Sequence, residues 1–253
     1  MGVKCSQARD LLPRTHLLLA LALSFLLAAA SGCPPPAVQK VYSLLDVGYR
    51  EATAAAVSPI GEVAGSFTND SGNYHAFYWN PEQGGTLVDI GHLGLDYSVG
   101  FGIGFYHEVV GLSNVVVANG AHLPHAFRWD SNSGMVDLGT LGGNVSVATA
   151  VNAKGEIVGY SSGQDNKLRP FLWDSTNGMQ LFPGGDAGGY AFAVNEGTAA
   201  VGSSLDATHF DVGPPFPQAR LWYGDGTQGN LDNTVGGNAA MARGINLLNV
   251  QIT

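Results

Sequence analysis

All four tryptophans of the chain close a recurring phrase: Trp79 in HAFYW, Trp129 in HAFRW, Trp173 in RPFLW and Trp222 in QARLW, spaced 50, 44 and 49 residues apart. A second marker precedes each. VAG, VVG, IVG and AVG end at Gly65, Gly111, Gly159 and Gly202, which are 46, 48 and 43 residues apart. Two markers sharing one period reveal a tandem repeat, in which every unit must solve the same packing problem.

Each unit reads as four short strands. In the third, VSVATAVN (Val145–Asn152) alternates, AKG turns, and EIVGYS (Glu156–Ser161) returns. RPFLWD (Arg169–Asp174) and, after a STNG turn, MQLF (Met179–Phe182) complete the set. Hairpin turns take Asn, Asp and Gly because these tolerate positive φ or bond back to the backbone. His107 stands where the third unit has Gly155, a costlier residue for a left-handed position.

The first strand of every unit carries a pair of tiny residues: Ala54 and Ala56, Gly100 and Gly102, Ala148 and Ala150, Ala191 and Ala193, Ala242 and Gly244. The residue between them varies: Ala55, Phe101, Thr149, Phe192, Arg243. Period-two alternation puts both small residues on one crowded face. A first strand crowded in every unit is what a radial array needs near its axis. The expected fold is all-β, a β-propeller-like array of four-stranded blades with about four units and a partial fifth.

The repeat domain spans 41–253, with units at about 41–91, 92–138, 139–182, 183–232 and a partial 233–253. VYSLLDV (Val41–Val47) reads as a fourth strand with no unit before it. AMARGINLLNVQIT (Ala240–Thr253) reads as a first strand, a turn with Asn249 at the Gly155 position, and a short second strand. The ring as encoded therefore reads as incomplete, with an edge beside Ile252 open to self-association. Trp79, Trp129 and Trp173 are expected to be buried, and Trp222 less constrained because its phrase has decayed.

Composition agrees. Charged residues are only 12% and Gly supplies 36 residues, which suits strands and tight turns rather than exposed helices.

The N-terminus is a separate object. Lys4, Arg9 and Arg14 precede the apolar run Leu17–Ala30, which is too short to span a bilayer comfortably and suits a signal-peptide core. ASGC then ends at Cys33 and resembles a bacterial lipobox, with Ala30 in place of the usual Leu. Residues 1–32 read as a signal peptide, and 33–40 as a Pro-rich tether after a lipidated Cys33. Ordinary secretion and a retained anchor are the alternatives. The mature body has no cysteine pair to oxidise. It carries 8 Lys+Arg against 19 Asp+Glu, a net charge of −11 that disfavours nucleic acid and anionic lipid surfaces. Contact with a membrane is expected only through the lipid anchor.

HAFRWDSNSGMVDLGTLGGNVSVATAVNAKGEIVGYS (residues 125–161) resembles the HAF-type bacterial extracellular repeat, and the likeness extends over about residues 42–253. Arg169-Pro170-Phe171 and Gln218-Ala219-Arg220 depart from the His-Ala-Phe phrase. The resemblance implies an exported protein of propeller-like repeats and supplies no catalytic residues.

The residues themselves single out no catalytic, cofactor or metal set. His75 and His125, as equivalents in neighbouring units, are expected a whole sheet apart, whereas zinc needs several ligands at about 2 Å. HEVVG at His107 lacks the second His of a zincin. The loops TNDSGN, DSNSG and DSTNG lack EF-hand grammar and read as hairpin turns. There is no GxSxG elbow, no carboxylate pair stands out, and GTLGG lacks the Lys of a phosphate loop. One segment exceeds what the repeat requires: SLDATHFDVGPPFPQ (Ser204–Gln218), with Phe210, Pro214, Pro215 and Phe216, is either a binding loop or a cover over a blade edge. The expected role is a binding or structural module at the cell envelope with a protein or glycan ligand. The alternative is an envelope enzyme acting on polysaccharide or peptidoglycan through a propeller face.

Overall fold

A computed structural model describes residues 51–117, 120–204, 218–231 and 241–245. Cys33, the tether, Val41–Val47, Asn249, Ile252 and the segment with Phe210, Pro214, Pro215 and Phe216 lie outside the described residues.

Among the described residues, sixteen strands form four separate sheets of four. Blade 1 holds β1 (Thr53–Val57), β2 (Val63–Thr68), β3 (Tyr74–Trp79) and β4 (Leu87–Asp89). Blade 2 holds β5 (Ser98–Ile103), β6 (Val109–Val116), β7 (His122–Asp130) and β8 (Gly134–Asp137). Blade 3 holds β9 (Gly142–Val151), β10 (Ile157–Gly163), β11 (Leu168–Asp174) and β12 (Gly178–Leu181). Blade 4 holds β13 (Gly189–Val194), β14 (Ala200–Ser204), β15 (Gln218–Trp222) and β16 (Gln228–Asn230). Every sheet is an antiparallel meander in chain order. The first strand of each later blade lies across the blade before it: β5 meets β1, β2 and β3, β9 meets β5, β6 and β7, and β13 meets β9, β10 and β11. This is the β-propeller-like array expected from the repeat, and it does not close into a ring among the described residues.

Each sheet has a backward and a forward apolar face. Val109, Phe127 and Trp129 of blade 2 pack back on Ala64, Ala76 and Tyr78 of blade 1. Val110 and Ala126 face forward onto Ala148, Ile157 and Phe171 of blade 3. Val158 faces forward onto Ala191, Ala200 and Trp222 of blade 4. Each such Phe or Val buries about 1.5–3 kcal/mol of transfer free energy. The cores are thus made between sheets, and a lone blade has nothing to cover its faces.

The marker glycine follows from a bulge opposite it. The β5–β6 register shifts between Gly100 and Gly102. That shift presses the Val99 carbonyl against Gly111, where a Cβ would overlap the oxygen and approach Phe127 Cε1 to 2.9 Å. Gly65 under Thr53, Gly159 under Val147 and Gly202 under Tyr190 repeat the arrangement.

The same bulge corrects the expectation that both small residues share one face. Gly100 looks back, at Gly65, whereas Gly102 looks forward, at Thr149 and Ala150. Likewise Ala148 packs with blade 2 and Ala150 with blade 4. The inserted residue breaks the period of two.

A second correction concerns the tryptophans. Trp222 is 1% exposed, whereas Trp173 is only partly buried. Trp79 and Trp129 are buried. Trp222 packs on Val158 and on Phe182, with ring centroids 6.4 Å apart. Those partners belong to the preceding unit, so decay of the Gln218-Ala219-Arg220 phrase removed none of them.

Four described residues other than glycine take the left-handed conformation, Glu51, His107, Asn166 and Thr198, and two of them lie in the first turn of their blades: His107 at φ +67°, as expected, and Thr198 at φ +61°. The side chains of His107 and Thr198 each bond a glutamate of the preceding blade. His107 Nδ1 lies 2.6 Å from Glu62 Oε1, and Thr198 Oγ1 lies 2.8 Å from Glu156 Oε2. These bonds offset the roughly 1–2 kcal/mol cost of that backbone.

Residues 241–245 lie where a fifth first strand is expected. The Ala242 N–H donates to the Gly202 carbonyl at 3.2 Å. Ala242 and Ile245 pack against Ala199, Val201 and Leu221. The Arg243 guanidinium sits 5.4 Å from the Phe192 ring centroid.

Candidate functional site

The His-Ala-Phe phrase earns its His and Ala at the blade junctions. At the second junction, His125 Nδ1 meets Asp137 Oδ2 at 2.8 Å. The Gly139 N–H donates to the other oxygen of Asp137 at 2.8 Å. The Ala126 N–H donates to Ser146 Oγ at 2.8 Å, and that hydroxyl donates to the Gly139 carbonyl. Burial pushes the Asp137 carboxyl up, but the hydrogen bonds from His125 and Gly139 outweigh it and hold the group below its ordinary value.

The first junction repeats the clasp residue for residue. His75 Nδ1 meets Asp89 at 2.9 Å, and the Gly91 N–H donates to Asp89 at 2.8 Å. The Ala76 N–H donates to Ser98 Oγ at 2.9 Å, and Ser98 donates to the Gly91 carbonyl. Ser98 and Ser146 are both fully buried. At the third junction Arg169 takes the His position and turns to Asp165, with both contacts at 2.7 Å. The Arg169 guanidinium holds the exposed Asp165 carboxyl well below the usual carboxylate range.

Beyond the clasp the first two junctions part. The second continues Thr140-Leu141-Gly142-Gly143-Asn144, and Thr140 Oγ1 donates to the Gly143 carbonyl at 2.8 Å. The first continues His92-Leu93-Gly94-Leu95-Asp96, so His92 stands for Thr140 and Asp96 for Asn144. His92 Nε2 lies 3.1 Å from Asp96 Oδ1. The His92 ring lies 5.3 Å from the His75 ring between centroids. One ligand atom each from His75, His92 and Asp96 all fall within 4.8 Å of one another. His75 is 6% exposed, and its Nε2, like His92 Nδ1, is buried without a hydrogen-bond partner.

In the sequence His75 and His125 are equivalents in neighbouring units, expected a whole sheet apart. The structure puts those two at equivalent places in successive junctions and brings His75 to His92 instead. The signal was present in the aligned linkers GHLGLD and GTLGGN, where two of the three departures, His92 and Asp96, are metal-ligating residue types.

The opposite end of the sheets has a different chemistry. Glu62, 1% exposed, accepts hydrogen bonds from the Tyr78 hydroxyl and from Asn80 Nδ2, the latter at 2.9 Å, and binds His107. Burial, reinforced by the bond to Glu62, pushes the Tyr78 phenol up to about 12. The turns joined by the His107–Glu62 contact also expose Ile60 at 46%, Phe105 at 48% and Tyr106 at 62%.

No family model and no curated protein matches the chain. Among solved structures it is similar to TolB from Acinetobacter baumannii, at 13% identity and a TM-score of 0.48, over 70% of this chain and 42% of that one. The chain thus spans less than half the length of that protein. The fold assignment rests on the four sheets themselves.

Proposed function

We propose that the chain is an exported HAF-type repeat protein, held at the cell envelope through lipid on Cys33, that binds a protein or glycan there. One observation carries the binding role. The residues every unit repeats are consumed between blades, whereas Ile60, Phe105 and Tyr106 are apolar, exposed and demanded by no repeat position. Such a patch on a net-acidic body suits a partner recognised by ring stacking and apolar contact rather than by phosphate. Leu17–Ala30 and ASGC support export and anchoring.

The test is a glycan array and an envelope-extract capture, run with the full chain and with Phe105→Ser/Tyr106→Ser. Binding by the parent and its loss in the double variant, at unchanged melting temperature, is the expected result. Equal binding by both would overturn the assignment of the patch. Release of reducing sugars from polysaccharide or peptidoglycan would favour the enzymatic alternative. Fatty-acid labelling that is equal in the parent and Cys33→Ala would remove the anchor.

A further inference from the structure

We propose that the first blade junction is a zinc site whose ligands are His75 Nε2, one ring nitrogen of His92 and one carboxylate oxygen of Asp96. Two imidazoles and one carboxylate form a ligand set that zinc favours, with room for a fourth ligand such as water. In a tetrahedral site with bonds of about 2.0–2.1 Å, ligand atoms lie about 3.4 Å apart. His92 Nε2 and Asp96 Oδ1 already stand 3.1 Å apart, and one ligand atom each of His75, His92 and Asp96 fall within 4.8 Å of one another. The remaining closure falls to His92 and Asp96, whose side chains are 31% and 65% exposed. His75 is the fixed post.

Three independent features point to a cation. First, buried ring nitrogens ordinarily find a partner, and leaving one unmade costs about 1–3 kcal/mol. His75 Nε2 and His92 Nδ1 are both left so. Second, His75 Nδ1 is held by Asp89, and Asp89 is held by the Gly91 N–H. That carboxylate–imidazole relay fixes the ring and leaves Nε2 as its free ligand atom, as supports behind zinc-bound histidines do. Third, the second junction has the same relay in His125, Asp137 and Gly139 but Thr140 and Asn144 where the ligands would be. The scaffold therefore does not require His92 or Asp96.

The test uses the full chain without an affinity tag. Zinc is titrated in competition with a chromophoric chelator, for the parent and for His92→Thr/Asp96→Asn. That double variant places the second junction's residues at the two ligand positions of the first, so it should fold and melt like the parent. The parent should bind one zinc per chain at least about 100-fold more tightly than the double variant. Asp89→Asn, which leaves all three ligands in place, should weaken zinc about 10–100-fold. Cobalt in place of zinc should give the intense visible bands of a four-coordinate site in the parent alone. Equal zinc affinity in parent and double variant, or cobalt spectra that do not differ, would overturn the proposal. None of these readouts depends on the exposed patch at the other end, so the two readings fail separately.

Discussion

At the junction of blades 1 and 2, His75, Ala76, Asp89, Gly91 and Ser98 make the contacts that His125, Ala126, Asp137, Gly139 and Ser146 make one unit later. The linkers of the two junctions then differ at His92, Leu95 and Asp96, and two of these can ligate a metal. The shared five residues tie the third and fourth strands of one blade to the first strand of the next. They describe what a repeat needs in order to stack. His92 and Asp96 lie outside that need, and such positions are where an activity can be added without disturbing the stack. In a repeat protein the informative residue is the one that breaks the pattern while its neighbours keep it.

If the junctions share one scaffold, damage to its packing should be large wherever it is made. Trp129→Ala at the first junction and Trp222→Ala at the third should each cost about 3–5 kcal/mol in chemical denaturation. The partly buried Trp173→Ala should cost less. A mild effect at Trp222 would restore the view that the fourth unit has loosened. Gly111→Ala and Gly159→Ala place a Cβ against a backbone carbonyl that cannot swing away. Each should cost about 3 kcal/mol, the upper end of overpacking, and unequal losses would break the equivalence of blades 2 and 3.

Much of this scaffold was legible in the sequence because each unit restates it. The Trp and Gly markers located the third and second strands, and the left-handed turn at His107 followed from its alignment with Gly155. The inward bulge was not legible. Alternation in Ala148-Thr149-Ala150 looks like simple pleating, and only the carbonyl pressed on Gly159 shows that the strand has slipped. Burial of Trp222 was missed because its partners, Val158 and Phe182, belong to the preceding unit rather than to its own phrase. His92 was missed for a related reason. It sits in a linker, 17 positions after His75, and no periodicity of strand or helix joins the two.

Smaller effects sharpen the comparison of the clasps. Ser98→Ala and Ser146→Ala would each leave a buried backbone N–H, of Ala76 or Ala126, without its acceptor. Each should cost about 1–2 kcal/mol, and equal losses would confirm that one hydroxyl does the same task at both junctions. The smallest effect is the pH response of the second clasp. The folded Asp137 carboxyl titrates below its ordinary value of 3.8. A depressed carboxyl stabilises the fold above its unfolded pKa, and that share is lost as pH falls through the folded value. The stability gap between the parent and Asp137→Asn should therefore hold at neutral pH and shrink below about pH 4. A gap that stays constant into acid would remove the charge-assisted part of the clasp.

The claim that the first junction alone carries the added ligands is tested most directly by X-ray absorption at the zinc edge on the zinc-loaded full chain. The site should give a first shell of nitrogen and oxygen at about 2.0–2.1 Å, with the outer-shell scattering of two imidazoles, lost in His92→Thr/Asp96→Asn. A spectrum without imidazole scattering, or one unchanged in that variant, would contradict it.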